Sequence, residues 1–580
     1  MLPINGFAEE SEVSKTTITV AATATDGDKF IVNNQALTVS SDEAENFGYS
    51  DSLTDGVSAL DVLVKMHEEK YGEAFTKETS SNYLAFSENG WITVAFEDNS
   101  GNLSYYVNNG YANGLSDEVS DGGSFELFFY KDTTYYSDVY THLSDITAIA
   151  GEEKTINASY YGAAMTGVKL ANVDGLNITP IDGAVADSNG DIKVTFDKSG
   201  TYYVTLAGTF NHEVADWKNN TTVLFDSPVV PSVTKVTVVE LPNDAYTATT
   251  QTIQSRDLAY GSEWSAMGLA RAGISVPNSY YKSVMDSVNS GSITKVTDAA
   301  RTIIALTSMG KKADSSLLEM LSSSDINRYG ITASIYALIA LDTANYEIPT
   351  NSDTEKQNTR DIMIKSIIDN QSTNGGFAYA SSLAPSVDVT AMAVQAFAKY
   401  TDKDGVSESI EKALKYIEEN VYLDDANSPD KCSTLAQVIV AYTELGKNPS
   451  AYVDKMLEYY DGNGQFKYNN AANDLSTTQA YYALVSYYRW ANGENSLYDM
   501  TDAFYEIKSY DGEKCVIYSP FNADATVIGV KYSNGIPNNI SAEAKTLKKG
   551  ENTIDMQSFD KIMLWNSLSD MQPLCEVKAQ

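Results

Sequence analysis

Ala266-Met-Gly-Leu-Ala-Arg271, Arg301-Thr-Ile-Ile-Ala-Leu306, Tyr336-Ala-Leu-Ile-Ala-Leu341, Met392-Ala-Val-Gln-Ala-Phe397, Gln437-Val-Ile-Val-Ala-Tyr442 and Gln479-Ala-Tyr-Tyr-Ala-Leu484 are six versions of one short helical segment. In each, an alanine precedes an apolar or basic residue, and the aligned alanines at 270, 305, 340, 396, 441 and 483 are separated by 35 to 56 residues. That interval has room for one inner and one outer helix per repeat, and a small residue at a fixed helical position lets neighbouring helices approach closely. The pattern predicts a six-fold, all-helical array over residues 256–500. A ring of inner helices packed against outer ones is its natural closed form, suited to holding something rather than reacting with it.

The chain's 580 residues exceed the roughly 250 to 300 at which a single hydrophobic core stops growing, so several domains are expected. Hydrophobic residues make up 43% and charged residues 20%, a globular composition. Asp and Glu number 78 against 40 Lys plus Arg, and the net charge of -38 repels phosphate backbones and anionic lipid headgroups, which argues against nucleic acid and membrane partners. No stretch reaches the ~18 apolar residues of a membrane span. The 39 tyrosines against 18 phenylalanines suit surfaces that meet sugars or flat ligands, and equally suit β-sandwich cores and rims. Three cysteines, Cys432, Cys515 and Cys575, give neither a disulfide framework nor a cysteine zinc site. Cys515 and Cys575 share the C-terminal module and are a possible disulfide in an exported chain, with buried free thiols as the alternative.

The first residues, Met1-Leu-Pro-Ile-Asn-Gly-Phe-Ala8, place Gly6 and Ala8 before acidic Glu9-Glu10, like the tail of a secretory signal, so 1–16 is expected to be a leader remnant or a flexible start and the protein secreted or displayed on the cell surface. Residues 17–133 alternate strand-like runs with an amphipathic helix, Ser58-Ala-Leu-Asp-Val-Leu-Val-Lys-Met66, and read as an α+β module. Residues 134–240 read as a β-sandwich, with Asp187-Ser-Asn-Gly-Asp191 as a hairpin turn rather than a calcium loop, since the rest of an EF-hand is missing. A short strand-rich connector is expected over 241–255, and a β module over 501–580.

Several stretches carry resemblances. The repeated segments, with the helix-linking turn Gln371-Ser-Thr-Asn-Gly-Gly-Phe377 and its echo Asp461-Gly-Asn-Gly-Gln-Phe466, resemble the α/α toroid of the terpenoid cyclase and prenyltransferase superfamily. The helix at 58–66 and the stretch around Tyr105-Tyr-Val-Asn-Asn-Gly110 resemble the small C-terminal β domain of transcobalamin and intrinsic factor, with Tyr105 where a tryptophan is frequent. Residues 134–240 resemble bacterial immunoglobulin-like spacers, and Leu564-Trp-Asn-Ser-Leu568 resembles an ending of secreted bacterial surface proteins, with Asn566 in place of aspartate. The implied fold is multidomain: an α/α toroid of six inner and six outer helices, flanked by a transcobalamin-like α+β domain, an Ig-like β-sandwich and a C-terminal β-sandwich.

The chemistry of the toroid families is missing or degraded. Pro385-Ser-Val-Asp-Val-Thr-Ala391 keeps only Asp388 of the acidic motif with which cyclases protonate an alkene, and Asp388 reads better as the N-cap of a helix starting at Val389. His67, His142 and His212 all lie outside the array, which removes the prenyltransferase zinc and the histidine of a lyase pair. Cys432 lacks a thioester context. No catalytic or metal-ligating set is expected, and the sequence points away from an enzyme.

In transcobalamin and intrinsic factor a helical toroid and such a β domain clamp a corrinoid between them. The resemblance therefore implies an exported ligand-binding protein, with a corrinoid (cobalamin) as bound ligand and no other cofactor. Candidate contacts from the array are Tyr260, Glu263, Trp264, Asp298, Tyr329, Thr332, Tyr379, Asp388, Tyr468, Asn469, Asn470 and Gln479. From the β domain they are Tyr105, Tyr106, Asn108 and Asn109, and for each residue turn formation, capping or core packing is the alternative role. A surface adhesin or glycan-binding structural protein remains open as a second class, and a toroid enzyme, a terpene cyclase or a polysaccharide lyase, as a third. The partner is a small-molecule or glycan ligand, with a cell-surface partner if the chain is displayed.

Overall fold

The structure, a computed structural model, describes residues 15–50, 56–323, 325–326, 328, 330–350, 357–380, 382–422 and 430–579. The expected leader remnant up to residue 14 and the candidate Tyr329 lie outside the described residues. The chain is a multidomain α and β protein in two compact units, 1–240 and 241–580. Among the described residues no helix is long and apolar enough to cross a membrane.

In the first unit, five strands lie in the order 29–40, 17–26, 124–129, 103–107 and 110–111, with the central pair 17–26 and 124–129 parallel. Helix α1 (Glu43–Asn46) precedes helix α2 (Ala59–Tyr71). Ser58 and Asp61 close a reciprocal capping box at the start of α2, and Asp61 Oδ1 also accepts the Ala44 N–H. Leu63, Met66, Phe125 and Leu127 form the core of this module. His67 is structural: Nδ1 meets the Leu63 carbonyl at 2.7 Å, Nε2 accepts the Phe96 N–H at 3.1 Å, and burial lowers its pKa to about 4. A five-stranded and a three-stranded sheet follow, around a core that includes Leu170, Ile192, Val204 and Val236. The Asp187–Asp191 stretch corrects the expectation of a hairpin. Asp187 Oδ1 accepts the N–H groups of Asn189 and Asp191, but the strands it joins, 177–185 and 191–195, belong to different sheets.

Residues 241–255, expected to be strand-rich, form helix α3 (Asn243–Gln254). Its β-branched threonines suggest a strand, but Ala245, Thr249 and Ile253 recur every four residues and bury one helical face. The helices that follow are α4 (Glu263–Arg271), α5 (Asn278–Asn289), α6 (Val296–Ser308), α7 (Ser315–Ser323), α8 (Ile331–Asp342), α9 (Arg360–Ile368), α10 (Val387–Phe397), α11 (Val406–Asn420), α12 (Lys431–Glu444), α13 (Ser450–Leu457) and α14 (Asp474–Ala491). The six helices carrying the repeated segment pack in sequence, α4 on α6, α6 on α8, α8 on α10, α10 on α12 and α12 on α14, and α14 returns to α4. Helices α7, α9, α11 and α13 each pack outside the inner helix before them, while α3 packs on α14 and α4. Alanines such as Ala305, Ala340, Ala393 and Ala441 are fully or almost fully buried, which is what close inner packing requires.

The two glycine-containing turns are the same structure used twice. Gln371 bridges Phe377 and Tyr460 bridges Phe466. Each phenylalanine is fully buried, and its N–H donates to a threonine of the next inner helix at 2.9 Å, Thr390 and Thr477 respectively. Gly375 and Gly464 both have positive φ, and a Cβ there would come within 2.3 Å of the Lys412 carbonyl oxygen and 2.5 Å of that of Ala248. The C-terminal module stacks a three-stranded and a four-stranded sheet around Ile517, Val527, Phe559 and Leu564, where a Cβ on Gly529 would collide with the Phe559 ring. Cys515 is buried and Cys575 half-buried in this module, both as free thiols, each pushed up to about 11 by burial.

Candidate functional site

The N-terminal ends of the inner helices converge on one side of the ring. Helix N-termini carry partial positive charge, and here each first turn also brings polar side chains. Trp264 on α4 lies 5.4 Å, centroid to centroid, from Tyr336 on α8 and 5.9 Å from Tyr482 on α14. Helices α4 and α8 are not neighbours in the ring, so this aromatic trio spans its axis. Asp388 on α10 and Arg301 on α6 act on the same centre: burial pushes the Tyr336 phenol up, the Asp388 carboxylate pushes it further, and Arg301 opposes. Arg301 is paired with Asp298 one turn earlier on α6.

A line of amides runs beneath the trio. Gln395 on α10 donates to the side-chain oxygen of Gln437 on α12 at 3.1 Å and to its backbone carbonyl at 2.9 Å. Gln437 in turn donates to Gln479 on α14 at 3.1 Å and to the Tyr482 hydroxyl. The three glutamines are separated by 42 residues each time; Gln437 and Gln479 stand four residues before their aligned alanines, and Gln395 one residue before Ala396. All six inner helices thus contribute: Trp264, Arg301, Tyr336, Asp388, Gln437, and Gln479 with Tyr482.

The opposite end of the ring is stoppered. The segment 495–502 crosses it and is tied to four inner helices. Arg271 at the end of α4 donates to the carbonyls of Ser496 and Asp499 at 2.8 Å and pairs with Asp502. Arg489 of α14 pairs with the same Asp502 at 2.6 Å. Glu444 at the end of α12 accepts from Ser496 at 2.7 Å and from the Tyr498 N–H at 3.0 Å, and the Met500 N–H reaches the Thr343 carbonyl just past α8. Leu497, Tyr498 and Met500 are buried, and the Tyr498 phenol is pushed up by burial and by Tyr336 and Tyr482 above it. At the other end Trp264, Tyr336 and Gln479 are only half-buried, and this end is the mouth of the ring.

At that mouth two carboxylate oxygens stand buried without a hydrogen-bond partner among the described residues, Asp388 Oδ1 and Glu263 Oε2, and Gln395 Oε1 in the amide line is a third such acceptor. Asp388 corrects its expected role: the N-cap is Ser386, the helix starts at Val387, and Asp388 is its second residue. It therefore faces the axis instead of closing the helix end. Glu263 is 2% exposed, and its other oxygen accepts the Gly261 N–H at 2.8 Å. Tyr260 is half-buried, with its N–H donating to Ser283 at 2.7 Å. Thr332 lies one turn before Tyr336 on α8 and is half-buried. Tyr379 is half exposed, and its carbonyl accepts the Ile331 N–H at the start of α8, which puts it at the rim. Tyr468 sits in a two-strand hairpin whose turn is Asn469-Asn470, both at positive φ and exposed, so these two serve the turn before α14.

The candidates of the first unit are occupied locally. Tyr105 is half-buried with its ring 5.9 Å from Phe125. Tyr106 stacks at 3.7 Å on Tyr140, whose hydroxyl bonds to buried Glu126. Asn108 and Asn109 are the positive-φ pair of a hairpin turn, and Asn109 Oδ1 accepts from Ser124 and Tyr140. Sequence reasoning missed Arg301, Tyr336, Gln395, Gln437 and Tyr482. The 42-residue spacing of the glutamines was the one available signal. Among the described residues no group of three or more His, Cys, Asp or Glu side chains is arranged to hold a metal ion.

No protein-family model matches this chain, and no curated protein matches it. Among solved structures it is similar to a polysaccharide lyase at 10% identity and a TM-score of 0.26, over 59% of this chain and 64% of that one. A second similarity is to α2-macroglobulin from Escherichia coli, from domain MG7 to the C-terminus, at 11% identity and a TM-score of 0.19, over 74% of this chain and 71% of that one. The chain spans 64% of the length of that lyase. The site's own geometry carries the reading that follows.

Proposed function

We propose that the helical ring is an α/α toroid serving as a one-mouthed receptacle for a glycan, in an exported binding protein. The observation that carries this is the pairing of the aromatic trio with the unpartnered, buried Asp388 Oδ1. A buried acceptor left without a donor costs about 1–3 kcal/mol, and a ligand hydroxyl recovers that cost on binding. Sugars offer such hydroxyls beside a C–H face that stacks on an indole or phenol ring, and half-buried Trp264 and Tyr336 present such rings. Gln479, also half-buried, adds an amide at the same level.

A corrinoid is the second reading of the same receptacle. Its amide side chains suit Gln479 and Asp388, but Trp264, Tyr336 and Tyr482 fill the axis where a wide ring system would sit, and Tyr106 and Asn109 are already engaged with Tyr140. The glycan reading therefore ranks first. A glycan array followed by calorimetry on the purified chain tests it: a neutral oligosaccharide should bind, and Trp264→Ala and Asp388→Ala should each weaken it by about tenfold or more, a decade being 1.4 kcal/mol. Retention of cyanocobalamin on filtration, with no glycan bound, would reverse the order of the two readings.

A further inference from the structure

We propose that the cavity between the base of the ring and the C-terminal β module is a second binding site, for a carboxylate-bearing glycan of the oligouronate class. The cavity measures about 980 Å³, within the size range of ligand sites. Four lysines line it, Lys311, Lys312, Lys508 and Lys578, on a chain whose net charge is -38. A cluster of cations is the exception on such a surface, and it focuses anions locally.

Three carboxylates, Asp502, Glu506 and Glu576, share the lining with the four lysines, and Lys508 lies 3.7 Å from Glu551, a pair whose side chains are 44% and 63% exposed and which is therefore weak. Asp502 is already held by two buried guanidiniums, Arg271 and Arg489. Glu576 is 3.9 Å from Lys312, but both side chains are at least 80% exposed, so the pair is weak. Lys311 is half-buried, and among the described residues no carboxylate lies within salt-bridge distance of it. Its ammonium sits 5.5 Å above the Tyr281 ring, and burial holds its pKa down. A bound carboxylate would offset the desolvation that burial imposes on the ammonium.

The walls between the lysines are aromatic. Phe504, Tyr505 and Tyr518 are half-buried, with Lys508 5.5 Å above the Tyr518 ring. An oligouronate presents one carboxylate and one pyranose face per residue, and so matches both kinds of wall. An acidic peptide matches only the lysines.

This inference stands apart from the ring reading, because its residues lie at the other end of the ring. The test uses the full chain, a galacturonate hexamer, a neutral hexasaccharide and a glutamate oligomer of equal charge, with calorimetry at low and high salt. The uronate should bind at low salt, weaken as salt rises, and lose about tenfold or more in affinity in Lys312→Gln/Lys508→Gln, two exposed positions that do not threaten folding. Lys311→Met, which keeps the aliphatic stem over Tyr281, should weaken it further. Absence of uronate binding overturns the inference. So does equal binding of the glutamate oligomer with the same lysine dependence. If uronate binding survives the lysine changes and is lost in Trp264→Ala, the ligand sits in the ring: the inference falls and the ring reading stands.

Discussion

At the base of the ring, Arg271, Arg489, Asp502 and Glu444 are tied to opposite charges, to backbone carbonyls or to backbone N–H groups, and Arg271 Nε is the lone orphan atom on a guanidinium otherwise bonded. At the mouth, Asp388 and Glu263 each keep one buried oxygen with no donor among the described residues, beside the Trp264 and Tyr336 rings, whose centroids are 5.4 Å apart. Both ends are made from the same helices, so the difference lies in the residues placed at their tips. Buried charge that is fully paired belongs to stability. Buried polarity left open costs stability and is retained where a ligand completes it. The difference can be broken by mutation, beginning where the effect should be largest.

Asp502 serves two guanidiniums whose side chains are only 3% and 4% exposed. Burial alone pushes the Asp502 carboxyl up, yet Arg271 and Arg489 outweigh it and hold it below the usual range. Asp502→Asn keeps the shape and removes the charge, stranding the buried Arg271 and leaving Arg489 with Glu494, 2.7 Å away, as its remaining carboxylate. The expected cost is about 3–5 kcal/mol in chemical denaturation. A cost under about 1 kcal/mol would mean that the base is no better paired than the mouth.

A smaller effect at the base is expected to follow pH. Burial pushes the Glu444 carboxyl above its ordinary 4.5, against the opposing pull of its bonds to Ser496 and Tyr498 and of Lys399 and Arg271. The folded chain therefore holds that proton more tightly than the unfolded chain. Stability from this group is fully present below 4.5 and drains as pH rises through the folded value, with a slope of at most about 1.4 kcal/mol per pH unit. Glu444→Gln removes the titration, so the difference between variant and wild type should shift in the variant's favour as pH rises from 4.5 toward neutrality. A difference independent of pH would place the Glu444 proton outside the folding balance.

Legibility in the sequence followed range. The repeat was visible because its alanines and the glycine turns at 375 and 464 are local requirements: helices must approach, and no Cβ fits beneath the Lys412 or Ala248 carbonyl. The α2 capping box lies within four residues and could be read the same way. Helix α3 was missed because threonine content outweighed the four-residue recurrence of Ala245, Thr249 and Ile253. The knot at Asp502 was invisible because its partners, Arg271 and Arg489, are 231 and 13 residues away, and no local signal announces such a meeting. At the mouth, the sequence supplied Trp264, Asp388 and Gln479 by their position near helix starts. It omitted Tyr336 and Tyr482, because at mid-helix a tyrosine facing the axis and one facing the core follow the same periodicity. Tyr106 was chosen for its chemistry, and its stacking partner, Tyr140, lies outside the module in which it was read.

The change expected to have the opposite sign is the one that separates the two ends most sharply. Asp388→Ala removes the buried Oδ1 and with it an unmet desolvation cost of about 1–3 kcal/mol. Against that gain, an aspartate in the first turn interacts favourably with the helix dipole, by about 0.3–1 kcal/mol, and alanine is in turn the better helix former. The balance lies between no change and a gain of about 3 kcal/mol, where removal of the charge at the base gives the opposite sign. Thermal and chemical denaturation of Asp388→Ala beside Asp502→Asn read the two signs directly. A loss above about 2 kcal/mol in Asp388→Ala would show that the mouth is held together by its carboxylate, as the base is, and would leave the receptacle without its distinguishing feature. A neutral or stabilising outcome, joined to the loss of ligand, would identify Asp388 as a group kept at the expense of the fold because something else must bind there.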